Sequence, residues 1–462
     1  MKRAKTQEEK YRQMMEMPVS RLIPGLAVPT IISMLITSIY NMADTFFVSQ
    51  LGTSASGAVG VIFSAMAIIQ ALGFGFGQGA GINISQSLGN KDTAKAGEAA
   101  AASFFAVLFL GIVIGVVGNL FLHPLVMMLG ATPTIAPYAE DYARYILIAS
   151  PFMMCAFVMN NVLRSQGNAV YAMVGITTGG ILNMILDPIF IFTFEMGTSG
   201  AALATGLSQL ISFGILLCQC NLRGDCISIR WSDFKPSFHI YGKILHAGLP
   251  SFCRQSIASV GTILLNFSAG VYGDAAIAAM SIVNRFMMFI NSAMIGFGQG
   301  FQPVCGFNFG ARQYDRVLEA YWFCVKVAVV MLTVLAVVCF IPAGQIISLF
   351  RKDDAEVIAI GTRALRYQLL LAPAMGWITM VNMLSQSIGY GFRAAVVSVA
   401  RQGIFLIPAL LILPGIFGLT GILISQPAAD VCTLILSTAV VFQILRELKT
   451  MDQEQRGLAR NA

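Results

Sequence analysis

The chain has 462 residues, 56% of them hydrophobic and only 11% charged, with a mean hydropathy of +0.75. A soluble domain carries about a quarter of its residues as charges, so this chain cannot dress a water-facing surface, and lipid must be its main solvent. Its net charge of +7 is spread over tails and short loops instead of a patch, which argues against nucleic acid as a partner.

In chain order, Met1 to Ser20 is polar and basic. The apolar run after it is too long for a signal-peptide core and has no cleavage site, so it is expected to stay as a membrane helix. A bilayer core takes about 20 helical residues to cross. Twelve such spans are predicted, at 22–49, 55–83, 94–120, 137–163, 166–194, 198–221, 243–271, 275–305, 316–341, 357–386, 391–416 and 419–446. Basic residues collect on one side. They are Lys2, Arg3, Lys5, Lys10 and Arg12, then Lys91 and Lys95, Arg164, Arg223, Arg230, Lys235 and Lys243, Arg312 and Arg316, Arg393, and Arg446, Lys449, Arg456 and Arg460. The other side has Arg351 and Lys352, followed by two aspartates. The positive-inside bias predicts cytoplasmic termini in a multi-pass plasma-membrane protein.

The chain repeats itself. Gly75-Phe-Gly-Gln-Gly79 returns as Gly296-Phe-Gly-Gln-Gly300, an offset of 221 that also aligns Pro29 with Pro250, Gly52 with Gly273, Gly89 with Gly310 and Lys91 with Arg312. An offset of 222 aligns Arg144-Tyr145 with Arg366-Tyr367, Pro151 with Pro373 and Asn160 with Asn382. Six spans per repeat is an even number, so both repeats run the same way, related by an axis along the membrane normal. The expected fold is all-α and integral to the membrane. Its twelve helices form two pseudo-symmetric six-helix lobes around a central cavity. The expected organisation is a tail at 1–20, an N-lobe at 21–221, a linker at 222–241, a C-lobe at 242–446 and a second tail at 447–462.

In so apolar a chain, the informative residues are polar ones inside spans, where a charge persists only with a partner, a water cavity or a function. Tyr40 and Asp44 lie one turn apart in the first span, and Asn183 and Asp187 one turn apart in the fifth, so each pair shares a helix face. Pro29 allows a kink in the first span, and Pro188 frees a carbonyl in the fifth. Thr205 follows in the sixth. Two carboxylates, an amide, a hydroxyl and a phenol can hold a hard monovalent cation through oxygen, or hold a proton. The competing reading has each aspartate bonded only to nearby backbone or Asn for packing. Asp430, Arg254 and Arg285, in later spans, are expected to pair with one another, the alternative being that they line the second half of a cavity. His123, His239 and His246 sit at span ends, where surface roles are expected. Nine scattered cysteines, Cys226 among them, have no metal spacing and read as small apolar fillers. No Walker loop, zinc motif or Ser-His-Asp set is present, so no enzyme and no cofactor is expected.

The sequence resembles the multidrug and toxic compound extrusion (MATE) transporters over residues 20–446. Pro29 and Tyr40-x-x-x-Asp44 carry the likeness, with both Gly-Phe-Gly-Gln-Gly stretches, Gly89-Asn-Lys-Asp and Leu163-Arg-Ser-Gln-Gly-Asn. Asn183-x-x-x-Asp187-Pro188 and Gly200-Ala-Ala-x-Ala-Thr205 complete it. The resemblance implies a V-shaped pair of lobes exchanging drugs for H⁺ or Na⁺, without a cofactor. It implies that Asp44, Asn183, Asp187 and Thr205 form the cation or proton site. Tyr40 and Tyr142 stand near it, with Pro29, Gln78 and Gln299 in supporting or cavity-lining places. Some relatives carry acidic residues on spans seven and ten, which this chain lacks, so coupling is expected in the N-lobe alone. Expected partners are the bilayer and small amphipathic or cationic drugs, handled by a monomer. The alternative is a flippase of lipid-linked saccharides. A channel would need a subunit ring or filter sequence that the two-fold repeat does not suggest.

Overall fold

The structure is a computed structural model that describes residues 7–222, 227–350 and 354–461. Lys2, Arg3, Lys5, Arg223, Cys226, Arg351, Lys352 and Asp353 lie outside the described residues.

Among the described residues the chain is helical throughout, with no strand. A short α1 (Gln7–Glu16) precedes α2 (Val19–Ser49), α3 (Thr53–Gly89) and α4 (Thr93–Leu120). After the short α5 (Leu122–Met128) come α6 (Ala136–Ser165), α7 (Ala169–Pro188) and α8 (Gly197–Asn221). The second half runs through α9 (Phe238–Gly270), α10 (Asp274–Gly310), α11 (Tyr314–Phe340) and the short α12 (Ala343–Phe350). Then follow α13 (Ala355–Leu370), α14 (Ala372–Ser387), α15 (Gly391–Val399), α16 (Leu406–Phe417) and α17 (Leu419–Asn461).

Each predicted span coincides with a helix or a broken helix. Among the described residues, ten helices are long and apolar enough to cross a bilayer, and α13–α14, bent by 50°, make an eleventh span. The twelfth, α9, has 33 residues but carries Lys243, Arg254, Gln255 and Asn266, which dilute its apolarity. Large side chains such as Phe109, Ile263 and Phe442 point outward, as lipid as solvent requires. Several helices outrun the predicted spans: α3 and α10 continue to Gly89 and Gly310.

The repeat governs the backbone. Gly52 and Gly273 both open a span at φ of 114° and 99°, and Lys91 and Arg312 both sit at φ 59°. Asn160 donates to the Ala172 carbonyl at 3.0 Å, and Asn382 to the Ala394 carbonyl at 2.7 Å. Packing repeats as well. In the first half α6 packs on α3, α4 and α8, and α7 on α2 and α8. In the second, α14 packs on α10, α11 and α17, α15 on α9, and α16 on α17. The lobes meet crosswise, α2 against α10 and α3 against α9, with α3 also on α10.

Glycines make the crossing close. A side chain at Gly79 would strike the Ile244 carbonyl, and one at Gly300 the Ala27 backbone. Both sites fall in the halves of their helices nearer the chain termini. Gln86 adds a bond from Nε2 to the Ser387 carbonyl at 2.7 Å. On the same face, α1 straps the seam. Arg316 and Asn308 donate to the Met14 carbonyl, and Lys91 lies 4.7 Å from the Tyr11 ring centre. The seam is therefore shut on the side of the chain termini.

The described part of the connection from α8 to α9 packs on the first-half helices. Ile227 and Ile229 are buried, Ile227 N–H donates to Gln166 Oε1 at 2.6 Å, and Trp231 packs edge-on against Phe105.

Candidate functional site

The polar cluster forms where α2, α6, α7 and α8 meet. Of these, α6 is the most enclosed, with 83% of its most apolar stretch buried, which carries Tyr142 into the lobe interior. Close approach of α7 and α8 depends on small residues: Ala201, Ala202 and Ala204 are fully buried, and Gly200 lies against the Phe190 carbonyl. Pro188 has no N–H to continue the helix, and the chain passes into a π-helical turn, Ile189–Thr193. Such turns are frequent at functional sites. This one begins two residues after Asp187.

Asp187 is fully buried, Asn183 2% exposed and Thr205 4% exposed. Asn183 Nδ2 donates to Asp187 Oδ1 at 3.1 Å and to Thr205 Oγ1 at 3.2 Å. The buried Tyr142 hydroxyl donates to Asp44 Oδ2 at 3.3 Å. Asp44 is close enough for its charge to act on Asp187. Tyr40 lies against Gln209 and within reach of the Asp44 charge. Asp44 Oδ1, Asp187 Oδ2 and Asn183 Oδ1 are buried oxygens with no hydrogen-bond partner in the protein. Each such atom carries a desolvation cost of about 1–3 kcal/mol unless something binds it. Three uncommitted oxygens on two carboxylates and one amide form a donor set for a hard monovalent cation or a proton. No group of three His, Cys, Asp or Glu side chains suited to a metal ion occurs among the described residues.

The sequence profile of MatE matches residues 29–189 and 250–412, one block in each repeat. The chain belongs to the MatE family. It is 28% identical over 432 residues to the multidrug export protein MepA of Staphylococcus saprophyticus, covering 93% of this chain and 94% of that one. It is 28% identical to MepA of Staphylococcus aureus strain MRSA252 over 445 residues, covering 95% and 96%. A solved structure described as the outward-facing conformation of a multidrug resistance MATE family transporter of the MOP superfamily superposes with a TM-score of 0.90. It is 27% identical and covers 95% of this chain and 98% of its own. A MOP-superfamily transporter from Pyrococcus furiosus, described as having a binding pocket of reverse polarity, gives a TM-score of 0.88 at 28% identity, with coverage of 95% and 98%.

Against this MatE frame, the structure brings together Tyr40, Asp44, Tyr142, Asn183, Asp187 and Thr205. Pro29 is buried in the unbroken α2 at the seam, away from the carboxylates. Gln78 and Gln299 are also elsewhere. They are 2% and 0% exposed on α3 and α10, each with an unpartnered Nε2. Gln299 Oε1 accepts from Arg164, whose guanidinium also donates to Asn161 Oδ1.

Arg164 corrects the sequence reading, which counted it among water-exposed loop charges. It is 3% exposed, because the last turn of α6 ends inside the seam. The expected pairing of Asp430 with Arg254 or Arg285 is also corrected. Asp430 accepts from Arg401 Nε at 2.8 Å, while Arg254 is half-buried and Arg285 exposed. His123, mostly exposed, pairs with Glu140 at 2.6 Å, as a surface role requires. His239 and His246 line a cavity of about 740 Å³ with Gln86, Lys95, Lys243 and Gly389, on the terminal face of the seam. That cavity shares no residue with the carboxylate cluster.

Sequence reasoning missed Gln209 and Arg401. Gln209 follows Thr205 by one turn on the same face, which was available as a signal. Arg401 lay inside a predicted span and was a signal by rarity alone.

Proposed function

We propose that this MatE-family chain is a multidrug efflux antiporter, exporting amphipathic or cationic organic compounds in exchange for H⁺ or Na⁺ by alternating access. The observation that carries the coupling site is the set of buried, uncommitted oxygens on Asp44, Asp187 and Asn183. Asp44 and Asp187 bind the ion, Asn183 and Thr205 order the cluster, and Tyr142 steadies Asp44. Binding a cation there relieves the mutual repulsion of two carboxylates in a low-dielectric interior. The site sits in one lobe, so its occupancy can bias how that lobe packs on the other.

Both termini are cytoplasmic on this reading, by the charge bias. The seam shut on the terminal side then makes this the outward-open state. The lobes 21–221 and 242–446 rock as bodies, joined by the linker 222–241. A single chain holds both lobes and works as a monomer in the plasma membrane.

Ethidium efflux tests the proposal, with purified protein in vesicles and a pH gradient or a Na⁺ gradient imposed separately. One gradient should drive efflux, and Asp44→Asn and Asp187→Asn should each abolish it while the proteins remain folded. If neither gradient moves a cationic dye, drug export is wrong, and lipid-linked saccharides become the substrates to test.

A further inference from the structure

The two lobes descend from one repeat, yet they fill the space beside their last two spans differently. The offset of 221 that aligns Gly200 with Gly421 also sets Thr205 on Gln426 and Gln209 on Asp430. In the N-lobe, Thr205 accepts from Asn183 at 3.2 Å, and Gln209 lies against Tyr40. In the C-lobe, Gln426 Nε2 donates to Asp430 Oδ1 at 3.0 Å. Arg401 grips the same carboxylate with both arms, Nε to Oδ1 at 2.8 Å and Nη2 to Oδ2 at 3.4 Å. The pair is enclosed, with side-chain exposures of 17% and 8%.

The positions of the N-lobe carboxylates carry no charge in the C-lobe. At the offset of 221 Asp44 falls on Leu265, and at an offset of 220 Asp187-Pro188 falls on Ile407-Pro408. The acid has instead moved to the last span. Its cation is supplied from Ala400–Ile404, the π-helical turn that interrupts span eleven, as the turn after Pro188 interrupts span five.

We infer that the C-lobe contains a second cation site at Asp430 and Gln426, kept permanently filled by the guanidinium of Arg401. The inference rests on the coupling role proposed above for the N-lobe cluster. Arginine stays protonated in proteins, and its planar fork matches a carboxylate through two hydrogen bonds. It is tethered, so a free ion competes with an intramolecular partner at high effective concentration. The C-lobe charge is therefore balanced throughout the cycle, and ions are exchanged in the N-lobe alone. Without the guanidinium, Asp430 is a buried carboxylate with no compensating charge, and it must take up a proton or an alkali cation.

The test counts cations bound by the purified full-length protein in phosphatidylethanolamine–phosphatidylglycerol vesicles. Radiolabelled Na⁺ is measured at equilibrium, with proton uptake read in parallel by a pH indicator. Arg401→Met should bind one more cation per chain than wild type. That gain should persist when Asp44→Asn is added, and vanish in Arg401→Met/Asp430→Asn. Folded Arg401→Met protein with no added cation overturns the inference, as does loss of the wild-type bound ion in Asp430→Asn alone. If Arg401→Met does not fold, Arg401→Gln/Asp430→Asn keeps hydrogen bonding without either charge and should retain wild-type ion-to-dye stoichiometry. A changed stoichiometry in that variant overturns the inference too. A wild-type protein whose bound ion survives Asp44→Asn defeats the N-lobe reading instead, and leaves the Arg401→Met count to decide the C-lobe.

Discussion

Asn183 holds the proposed coupling cluster together with one side chain, donating to Asp187 on its own helix and to Thr205 on the next. A hydrogen bond to a charged acceptor contributes about 1.5–3 kcal/mol, and 1.4 kcal/mol is a factor of ten in binding. Asn183→Ala should therefore weaken affinity for the coupling ion by roughly ten- to a hundredfold. The ion concentration for half-maximal dye efflux reads this directly, and an unchanged value would show that Asn183 only packs. Arg164 is the other residue with a role set by its surroundings. Its guanidinium joins Asn161 of its own helix to Gln299 across the seam. Arg164→Met leaves both acceptors buried without donors, at about 1–3 kcal/mol each. Thermal unfolding in detergent should shift down for this variant, and less so for Arg164→Lys, which keeps a donor.

Among the elements, the decisive pieces are the terminal-side halves of α3 and α10. The repeated Gly-Phe-Gly-Gln-Gly stretches let backbones of opposite lobes touch, and small residues are how membrane helices come close. Gly79→Leu or Gly300→Leu should hold the seam apart on the terminal side. The expected result is a folded protein that binds dye but has lost most of its export. It should also label more readily with a water-soluble thiol reagent at an introduced Ser387→Cys than the parent does. Equal labelling would mean that the helices slide to absorb the side chain. The bent pair α13–α14 shows a limit of the symmetry. Pro151 is absorbed within the continuous α6, whereas its repeat partner Pro373 stands in the first turn of α14, just past the 50° bend. The same residue type thus yields a rigid central helix in one lobe and a broken one in the other. Only the first keeps a buried tyrosine in contact with a carboxylate.

For the whole molecule, alternating access requires the seam that is shut here to open during the cycle. Gln86 and Ser387 face each other across it. In a background free of native cysteines, a short thiol cross-linker between Gln86→Cys and Ser387→Cys should arrest dye export. A cleavable linker should restore it on reduction. Export that continues through a confirmed cross-link would rule out separation of the lobes at this point.

Composition, the apolar runs and the side-to-side charge bias determined the number of spans. Their arithmetic depends only on bilayer thickness and hydration of charge. The in-register repeat determined that there are two lobes with parallel topology. The Asp44, Asn183 and Asp187 spacing was legible too, since residues one helical turn apart must share a face. That Tyr142 reaches Asp44, and Asn183 reaches Thr205, depended on how α6 and α8 pack on α2 and α7. Packing likewise decided that Arg164 lies inside the seam and that Arg401, not Arg254 or Arg285, takes Asp430. Local periodicity fixes which way a side chain points from its own helix. Which neighbouring helix stands there, and whether a span's end meets water or the other lobe, depends on contacts between residues far apart in sequence.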